Sequence, residues 1–574
     1  MDARIDTGGA TGRRARARAG AALVAAFAAA FLLGRVSPAE VADLKPRPDA
    51  LEYEEAARGL LRGDGASLRI EGRRFAPRYP PAMSWAVAAA LRATGNEPGA
   101  GAVVALTGAL VSVAAAWMLA AGAGGPVAAA VAALVVAFSP LHVRWSRAVM
   151  ADVPSTAACA LVGLWSLRRA ARDDRSAAGD VAVGVATGLL SLLRLASLAI
   201  APAVVATAAL GHAPGGVRQR VERAARTAVG VAAGLLPLAV HQARTYGAPW
   251  RTGYGLWHGS GFSVDFATRP AFGATGELAN PAFYAKVLAG GGDLHPWPVA
   301  LLAAAGLFAA VRGPAALRSL AFFSAILLVS LLALHVPFFW QWDRFLLPAL
   351  PFLAALAGCG AAAIASRTRL HLPAALLLLG LATLAWRGAW RPIEDASTES
   401  AWLRTIDAAL PPDAVLLVRT DPFHFREILR DGRDEATVSA PGRTWVPLGL
   451  DVHRAAIRLW SVAPLPARAG EDAGDAGRWT RDVLAPGLAP ADASKAIAAL
   501  LDERRPVYVA TSPRDFEVPE APALFGRLLG DFTLEPSTAL GEWHLWRVAG
   551  PSPARAAEAS VAGGHVPEAR RIPP

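Results

Sequence analysis

The stretch PDALEYEEAARGLLRG (residues 48–63), followed at 78–81 by RYPP, decides how the rest of the chain is interpreted. It is polar, whereas the sequence around it consists mostly of Ala, Leu, Val and Gly. Asp49 and Glu52 have the spacing of a capping box, which predicts that a helix begins there. Gly63 is a typical residue for the end of such a helix.

The same stretch has the pattern of a helix lying on a membrane surface. Its apolar side chains recur every three or four positions and form one stripe, and charged side chains take the opposite face. The stripe consists of Tyr53, Ala56, Ala57, Leu60 and Leu61, and the charged face of Glu52, Glu55, Arg58 and Arg62. Within this helix Asp49 is either a plain N-cap or a catalytic carboxylate.

The overall composition is that of a polytopic membrane protein. The 574 residues are 54% apolar and only 18% charged, and long apolar runs recur up to about residue 387. The net charge of +11 does not indicate a nucleic-acid partner, because the arginines form short clusters between apolar runs. Cys159 and Cys359 both fall inside predicted spans, so no structural disulfide is expected.

Arginine placement predicts the topology. The first span is residues 20–36, after a cytoplasmic tail at 1–19, although this span could also be a cleaved signal peptide. Further apolar runs lie at about 101–121, 124–140, 153–169, 179–193, 195–211, 226–243, 297–311, 319–336, 345–365 and 371–387. Together they make eleven crossings and place four arginine clusters on the cytoplasmic side. These clusters are Arg168/Arg169/Arg172/Arg175, Arg218/Arg220/Arg223/Arg226, Arg312/Arg318 and Arg367/Arg369. The shorter run Met83–Ala93 is interpreted as a second juxtamembrane helix.

Two domains follow from this topology. Residues 20–387 form a transmembrane domain with an outer loop at 37–81, and residues 388–550 form an extracytoplasmic α/β domain. Short strand patterns at 411–420, 507–512 and 541–548 support the second domain, in which we find no convincing phosphate loop or dinucleotide fingerprint. Residues 551–574 are expected to be disordered. The predicted location is the cell membrane, with the N-terminus cytoplasmic.

Carboxylates and arginines gather in the segments predicted to lie outside. The carboxylates are Asp49, Glu52 and Asp152, and the arginines are Arg78, Arg147, Arg194 and Arg344. Sugar transfer from a lipid phosphate needs both, because a carboxylate accepts the proton of the acceptor hydroxyl and arginine stabilises the departing phosphate. Arg194 lies between two short apolar runs, at or below the outer surface, and therefore needs an anionic partner.

Three stretches resemble the GT-C glycosyltransferases, specifically the branch that holds protein O-mannosyltransferases and the lipid A aminoarabinose transferase. They are PDALEYEEAARGLLRG with RYPP, SRAVMADVPS (146–155) and DRFLLPALPFLAALAG (343–358). Their order, spacing and common side carry the likeness, which covers about residues 20–387. The resemblance implies a GT-C fold and a polyprenyl-phosphate-linked sugar donor, with a lipid, glycan or protein as acceptor.

The resemblance also implies roles for individual residues. Asp49 would be the catalytic base or an acceptor-binding carboxylate, and Asp152 would support the catalytic site. The donor phosphate would contact Arg147, Arg194 and Arg344, with Glu52, Arg78 and Tyr79 completing the substrate-binding set. Protein O-mannosyltransferases carry adjacent Asp and Glu in the first loop, whereas Ala50 follows Asp49 here, which counts against protein mannosylation.

Two other functions compete with this hypothesis. A transporter or flippase would place charges near the bilayer midplane, whereas here most gather at the outer interface. A membrane scaffold for the outer domain would leave the co-located Asp and Arg loops unexplained. The eleven histidines have no short-spaced pair, which argues against zinc, although the carboxylates could hold a hard divalent ion. No cofactor is therefore assigned.

Overall fold

The computed structural model describes residues 49–95, 100–254, 262–268 and 278–368, with gaps at 71–72, 76, 173, 175, 211–215 and 339. Of the remaining chain it describes parts of 20–33 and of 411–553. The chain divides into two compact units. Unit 1 comprises Met1–Leu68, Pro77–Gly255 and Gly259–Ala396, and unit 2 comprises Arg69–Ala76, Leu256–His258 and Ser397–Pro574.

Unit 1 is helical. Its helices are α1 (Asp49–Leu61), α2 (Pro81–Thr94), α3 (Ala100–Ala137), α4 (Pro140–Ser146), α5 (Asp152–Ala171), α6 (Ala177–Leu189), α7 (Ala201–Leu210), α8 (Val217–Tyr246), α9 (Asn280–Leu288), α10 (Trp297–Arg312), α11 (Ala315–His335) and α12 (Leu350–Thr368). Short 3-10 segments lie at Leu190–Leu192, Leu195–Ile200, Val264–Ala267 and Asp343–Ala349. Positions 20, 22–24, 26–30 and 33 of the first predicted span are also helical.

Several helices have the length and composition of membrane spans. Among the described residues these are α3, α8, α11 and the segment Asp343–Ser366. Shorter apolar helices cover Ala177–Leu192, Leu195–Leu210 and Trp297–Arg312. The prediction of a multi-helix membrane protein is therefore confirmed, while the number of eleven crossings stays a prediction.

Helix α3 contains the break that the sequence placed between two spans. The two apolar runs at 101–121 and 124–140 fall largely within Ala100–Ala137, which consists of two helices joined at a kink, where Gly125 has φ 82° and ψ −167°. A non-glycine residue would be strained at that φ, and the ring of Pro126 cannot continue the hydrogen-bond ladder. The helix is therefore broken at the beginning of the second run.

Helices α6 and α8 pack with their backbones in direct contact. A Cβ added at Gly184 or Gly188 of α6 would lie 2.1 or 2.3 Å from a backbone oxygen of α8. A Cβ at Gly230 or Gly234 of α8 would lie 2.3 Å from a backbone oxygen of α6. Small residues four positions apart allow this approach in membrane helices, and we call this contact the glycine seam.

Helix α1 corrects one prediction. It begins at Asp49 as expected, but Glu52, Glu54 and Glu55 on its polar side are only 1%, 2% and 0% exposed. The prediction of an exposed charged face is therefore wrong for the glutamates, whereas Arg62 is exposed as expected, and the location at the membrane surface stays a prediction. Two of these glutamates are buried with an arginine partner, Glu52 with Arg78 and Glu55 with Arg62, which donates a hydrogen bond of 2.5 Å.

The described strands of unit 2 form a mixed sheet. They are β3 (Val415–Val418), β4 (Thr444–Pro447), β5 (Val507–Thr511), β6 (Phe532–Leu540) and β7 (Trp543–Pro551), in the spatial order β4-β3-β5-β7-β6. Strand β3 pairs in parallel with both neighbours, whereas β7 pairs antiparallel with β5 and β6. A separate two-stranded sheet joins β1 (Leu68–Ile70) and β2 (Arg73–Phe75). The domain limits at 388 and 550 stay predictions, and nearly all of the tail at 551–574 lies outside the described residues.

Candidate active site

Asp152 is the first residue of α5 and binds two arginines from distant parts of the chain. Its Oδ1 accepts a hydrogen bond from Arg194, which lies between the two 3-10 segments that follow α6. Its Oδ2 lies 3.9 Å from Nη1 of Arg344. The three side chains are 4%, 13% and 8% exposed, respectively. Arg194 thus has the anionic partner that its position in the sequence required, and we call these three residues the outer cluster.

Contacts at the start of α5 fix the position of Asp152. The carbonyl of Asp152 accepts hydrogen bonds from the hydroxyls of Ser155 (2.9 Å) and Thr156 (2.8 Å), within the first turn of α5. An acidic residue in that turn also complements the helix dipole. Helix α3 passes so close that a Cβ at Gly108 would lie 2.9 Å from Cα of Pro154. The start of α5 is therefore held against α3.

Aromatic rings hold the two arginines. The guanidinium carbon of Arg344 lies 3.7 Å from the ring centroid of Trp342 and 4.8 Å from that of Trp145. The guanidinium of Arg194 lies 5.4 Å from the ring of Phe345. Such cation–π contacts are strongest where water is excluded, as it is here. They orient a guanidinium through its face and leave its N–H groups at the edge.

A second ion pair joins the two parts of the first outer loop. Nε of Arg78 donates to Oε2 of Glu52 at 2.9 Å, and the backbone N–H of Arg78 donates to Oε1. These side chains are 1% and 2% exposed. The guanidinium carbon of Arg78 lies 4.8 Å from the ring of Tyr79. Three of the predicted residues thus form one buried group.

Tyrosines surround this ion pair. The ring of Tyr79 lies 4.8 Å from that of Tyr53 and 5.4 Å from that of Tyr254. The hydroxyl of Tyr246 donates to the carbonyl of Pro77 at 2.5 Å. Sequence reasoning assigned Tyr53 to an apolar stripe and missed Tyr246 and Tyr254. The available signal was scarcity, because the chain has only six tyrosines and four of them lie here.

The two groups adjoin each other. The guanidinium of Arg194 lies within electrostatic range of the hydroxyls of Tyr53 and Tyr254, and the hydroxyl of Tyr246 lies within that range of Glu52. The outer cluster and the Glu52–Arg78 pair are therefore parts of one buried site, with tyrosines between them.

The remaining predicted site residues are Arg147 and Asp49. Arg147 is half-buried directly after α4, in the short loop that leads into Asp152. Asp49 is the first residue of α1, one turn before Glu52, and its side chain lies outside the described residues. Within the described part of the chain, no three His, Cys, Asp or Glu side chains group as metal ligands would.

Comparison with known proteins identifies the fold. Residues 78–241 match the model of the dolichyl-phosphate-mannose-protein mannosyltransferase family. The structure matches ArnT from Cupriavidus metallidurans bound to undecaprenyl phosphate, with a TM-score of 0.56 and 15% identity, over 92% of this chain and 99% of that one. The chain has the GT-C fold. The resemblance read from the sequence is therefore confirmed.

Other comparisons add less. The apo form of the same ArnT gives a TM-score of 0.53 at 15% identity, over 95% of this chain and 100% of that one. The oligosaccharyltransferase AglB from Archaeoglobus fulgidus, in complex with an inhibitory peptide and a dolichol-phosphate, gives 0.45 at 11% identity, over 91% of this chain and 74% of that one. No curated protein sequence matches. The family match spans Arg78, Tyr79, Arg147, Asp152 and Arg194 of the predicted site.

Proposed function

We propose that this GT-C protein is a membrane glycosyltransferase that takes its sugar from a polyprenyl-phosphate-linked donor. The observation that carries the proposal is the outer cluster. Arg194 and Arg344 share the carboxylate of Asp152, so their guanidinium groups lie close enough to bind a single phosphate. Arginine forks match phosphate geometry, and a site away from water strengthens the interaction. The bound undecaprenyl phosphate of the similar ArnT supports the choice of donor.

In this proposal two carboxylates, those of Asp152 and Glu52, position arginines and do not accept the proton. Asp152 orients Arg194 and Arg344, and both oxygens of Glu52 accept hydrogen bonds from Arg78. The base is then Asp49, one helical turn before Glu52. Arg147 would reach the donor phosphate from the loop before α5.

The proposed reaction is a direct displacement at the anomeric carbon of the sugar. The acceptor hydroxyl gives its proton to the carboxylate of Asp49, and its oxygen forms a bond to the anomeric carbon of the sugar. The bond between that carbon and the phosphate oxygen breaks, and the polyprenyl phosphate leaves with the electron pair. Positive charge on the sugar in the transition state faces carboxylates, and negative charge on the phosphate faces arginines.

The acceptor is a lipid, a glycan or a protein at the outer membrane face. The rings of Tyr53, Tyr79 and Tyr254 offer flat apolar surfaces beside polar groups, which suits a sugar ring. The absence of an adjacent Asp-Glu pair at Asp49 makes protein mannosylation the least favoured of the three. The outer location rests on the arginine clusters that the topology places inside.

Exchange of Arg194 for lysine tests the donor site. Lysine keeps the charge but loses the fork, so Arg194→Lys should weaken binding of undecaprenyl phosphate to the purified protein by roughly tenfold, the loss expected for one charge-assisted hydrogen bond. Arg318→Lys is the matched control, because Arg318 donates to the backbone oxygen of Gly313 at an exposed position. Equal affinities in both variants would remove Arg194 from the donor site.

Labelled sugar separates the enzyme from a transporter. The purified protein in detergent, given a polyprenyl-phosphate donor with a labelled sugar, should release the sugar to a membrane-lipid or glycan acceptor. Movement of the intact labelled donor across vesicle membranes without sugar transfer would favour the flippase hypothesis instead.

A further inference from the structure

A charged cleft lies at the other end of α5, away from the residues used above. It is lined by Arg169 of α5, Asp180 of α6, Thr207 of α7 and Arg223 of α8, among others. Its enclosed part has room for about one water molecule, and the rest of the cleft is open to solvent, so a larger group would bind at its mouth. The proposed sugar transfer gives these residues no role, so the inference below is independent of it. We call this group of residues the inner cluster.

Arg169 and Asp180 are the built-in part of the inner cluster. Arg169 donates to Oδ1 of Asp180 at 3.0 Å, to the carbonyl of Ser176 at 3.1 Å, and to the side chain of Asp174. A Cβ at Gly179 would lie 1.6 Å from Nη1 of Arg169, so a glycine makes room for the guanidinium. The donors of Arg169 are thus engaged within the protein.

Arg223 is different, because its donors are poorly used. It is 8% exposed, yet Nη2 makes only a long hydrogen bond of 3.4 Å to the carbonyl of Asp174. Its Nε lies 3.6 Å from Oδ1 of Asp180 and has no hydrogen-bond partner among the described residues. The hydroxyl of Thr207, 4% exposed in the same cleft, also lacks such a partner there.

The charges of the inner cluster favour an anion. Oδ2 of Asp180 lies 3.9 Å from Nη1 of Arg226, so one buried carboxylate serves three arginines. Asp174 and Glu222 are the other acids in contact with these arginines, but their side chains are 40% and 44% exposed, so the buried groups Arg169, Arg223 and Asp180 keep one excess positive charge. Buried donors in native proteins are almost always satisfied. A group that brings several acceptor oxygens and negative charge would satisfy Arg223 and Thr207 together.

We infer that the inner cluster binds the phosphate of an anionic membrane-lipid headgroup. The arginines around it belong to the two clusters, Arg168 to Arg175 and Arg218 to Arg226, that the sequence places on the cytoplasmic side. Basic pockets between membrane helices on that side bind anionic lipid headgroups. Free phosphate has the same chemistry and is the alternative source, which the experiment below distinguishes.

Native mass spectrometry of the full-length protein in detergent provides the test. The wild type should retain phosphatidylglycerol in preference to phosphatidylcholine, and Arg223→Gln should reduce this retention at least tenfold. The control is Arg218→Gln, on the same helix, where the side chain is 92% exposed and paired with Glu222. That variant loses the same charge outside the cleft and should bind phosphatidylglycerol like the wild type.

A second variant keeps the test valid if Arg223→Gln folds poorly. Thr207→Val has nearly the same shape and leaves every ion pair intact, and it should reduce phosphatidylglycerol retention about threefold. No preference for phosphatidylglycerol in the wild type would overturn the inference. Equal losses in the Arg223 and Arg218 variants would also overturn it, since general surface charge would then explain binding. Binding of inorganic phosphate without retention of phosphatidylglycerol would exclude the lipid as the source.

Discussion

Helix α5 joins two clusters of similar composition in different surroundings. At its start Asp152 binds Arg194 and Arg344, and at its end Arg169 binds Asp180. Asp152 and Arg169 lie 17 residues apart on this helix, so the clusters are about 26 Å apart along its axis. Each consists of a nearly fully buried aspartate between arginines, yet the groups that hold those arginines differ.

In the outer cluster aromatic rings hold the arginines, whereas in the inner cluster polar groups do. Trp342 and Trp145 contact Arg344 through the face of its guanidinium. Carbonyl and carboxylate oxygens use the N–H groups of Arg169 directly. The first arrangement suits a substrate that binds and leaves. The second suits a permanent ion pair of the fold, beside which the donors of Arg223 are poorly used.

The largest expected effect is at Asp49. If the outer site is the catalytic one, Asp49→Asn should lower the rate of sugar transfer on the order of 10²-fold or more, because an amide cannot accept the proton. As a plain N-cap, Asn would replace Asp almost silently. Sugar transfer by the purified variant measures the difference. Turnover within a few-fold of the wild type would end the assignment and make Asp152 the leading candidate.

The next effect concerns the aromatic support of the outer cluster. Trp342→Leu removes the ring 3.7 Å from Arg344, so the guanidinium loses its orientation and the KM for the lipid donor should rise roughly fivefold, about 1 kcal/mol. Trp342→Phe should restore most of this loss. Trp297→Leu is the control, because Trp297 is 62% exposed. A change in kcat alone, with an unaltered KM, would contradict this role.

A third substitution, Gly184→Ala, should affect the inner cluster and leave the outer cluster unchanged. In Gly184→Ala the new methyl group would lie 2.1 Å from the backbone oxygen of Thr227, so α6 and α8 must move apart. We expect a loss of about 1–3 kcal/mol in stability, together with weaker phosphatidylglycerol retention, while affinity for undecaprenyl phosphate stays the same. Gly122→Ala, where nothing lies within 4 Å, is the control in thermal unfolding. Equal losses at both clusters would show that they are coupled.

The last effect is a pH dependence of stability close to the outer cluster. Burial lowers the pKa of His142 in α4 from 6.5 to about 4, because its fully buried ring cannot easily carry a charge. The folded state therefore disfavours the proton, and stability is complete above pH 6.5 and falls as pH drops towards 4. Thermal unfolding over this range should show a decline that His142→Gln reduces. An unchanged decline in that variant would assign it to other groups.

The sequence predicted those features that depend on local pattern. The start of α1 at Asp49, the break in α3 and the need of Arg194 for an acid all follow from capping, glycine placement and the cost of buried charge. Burial of Glu52 and Glu55 could not be predicted, since periodicity tells which face is polar but not what covers it. Strand β6 was not predicted either, because it contains Pro536 beside a register shift.

The contacts within the site depend on tertiary structure. The ring of Trp342 lies on the guanidinium of Arg344, two residues away in the sequence, and no local pattern predicts this contact. The pairing of Asp152 with Arg194 joins residues 42 positions apart, and nothing in either segment selects the other. Composition predicted that these loops share the outer face, but only the fold determines which of their residues pair with each other.

The glycine seam between α6 and α8 has a consequence for biosynthesis. Helix α6 has 13 residues and covers about 20 Å, less than the hydrocarbon thickness of about 30 Å, so it is a poor span by itself. During translation it leaves the ribosome before α8 exists, and Gly184 and Gly188 then have no backbone to pack against. We therefore expect a chain stalled before residue 217 to remain a target for quality-control proteases, which pulse-chase of truncated chains would reveal as a short half-life. Completion of α8 would then be the step that makes this half of the protein durable in the cell.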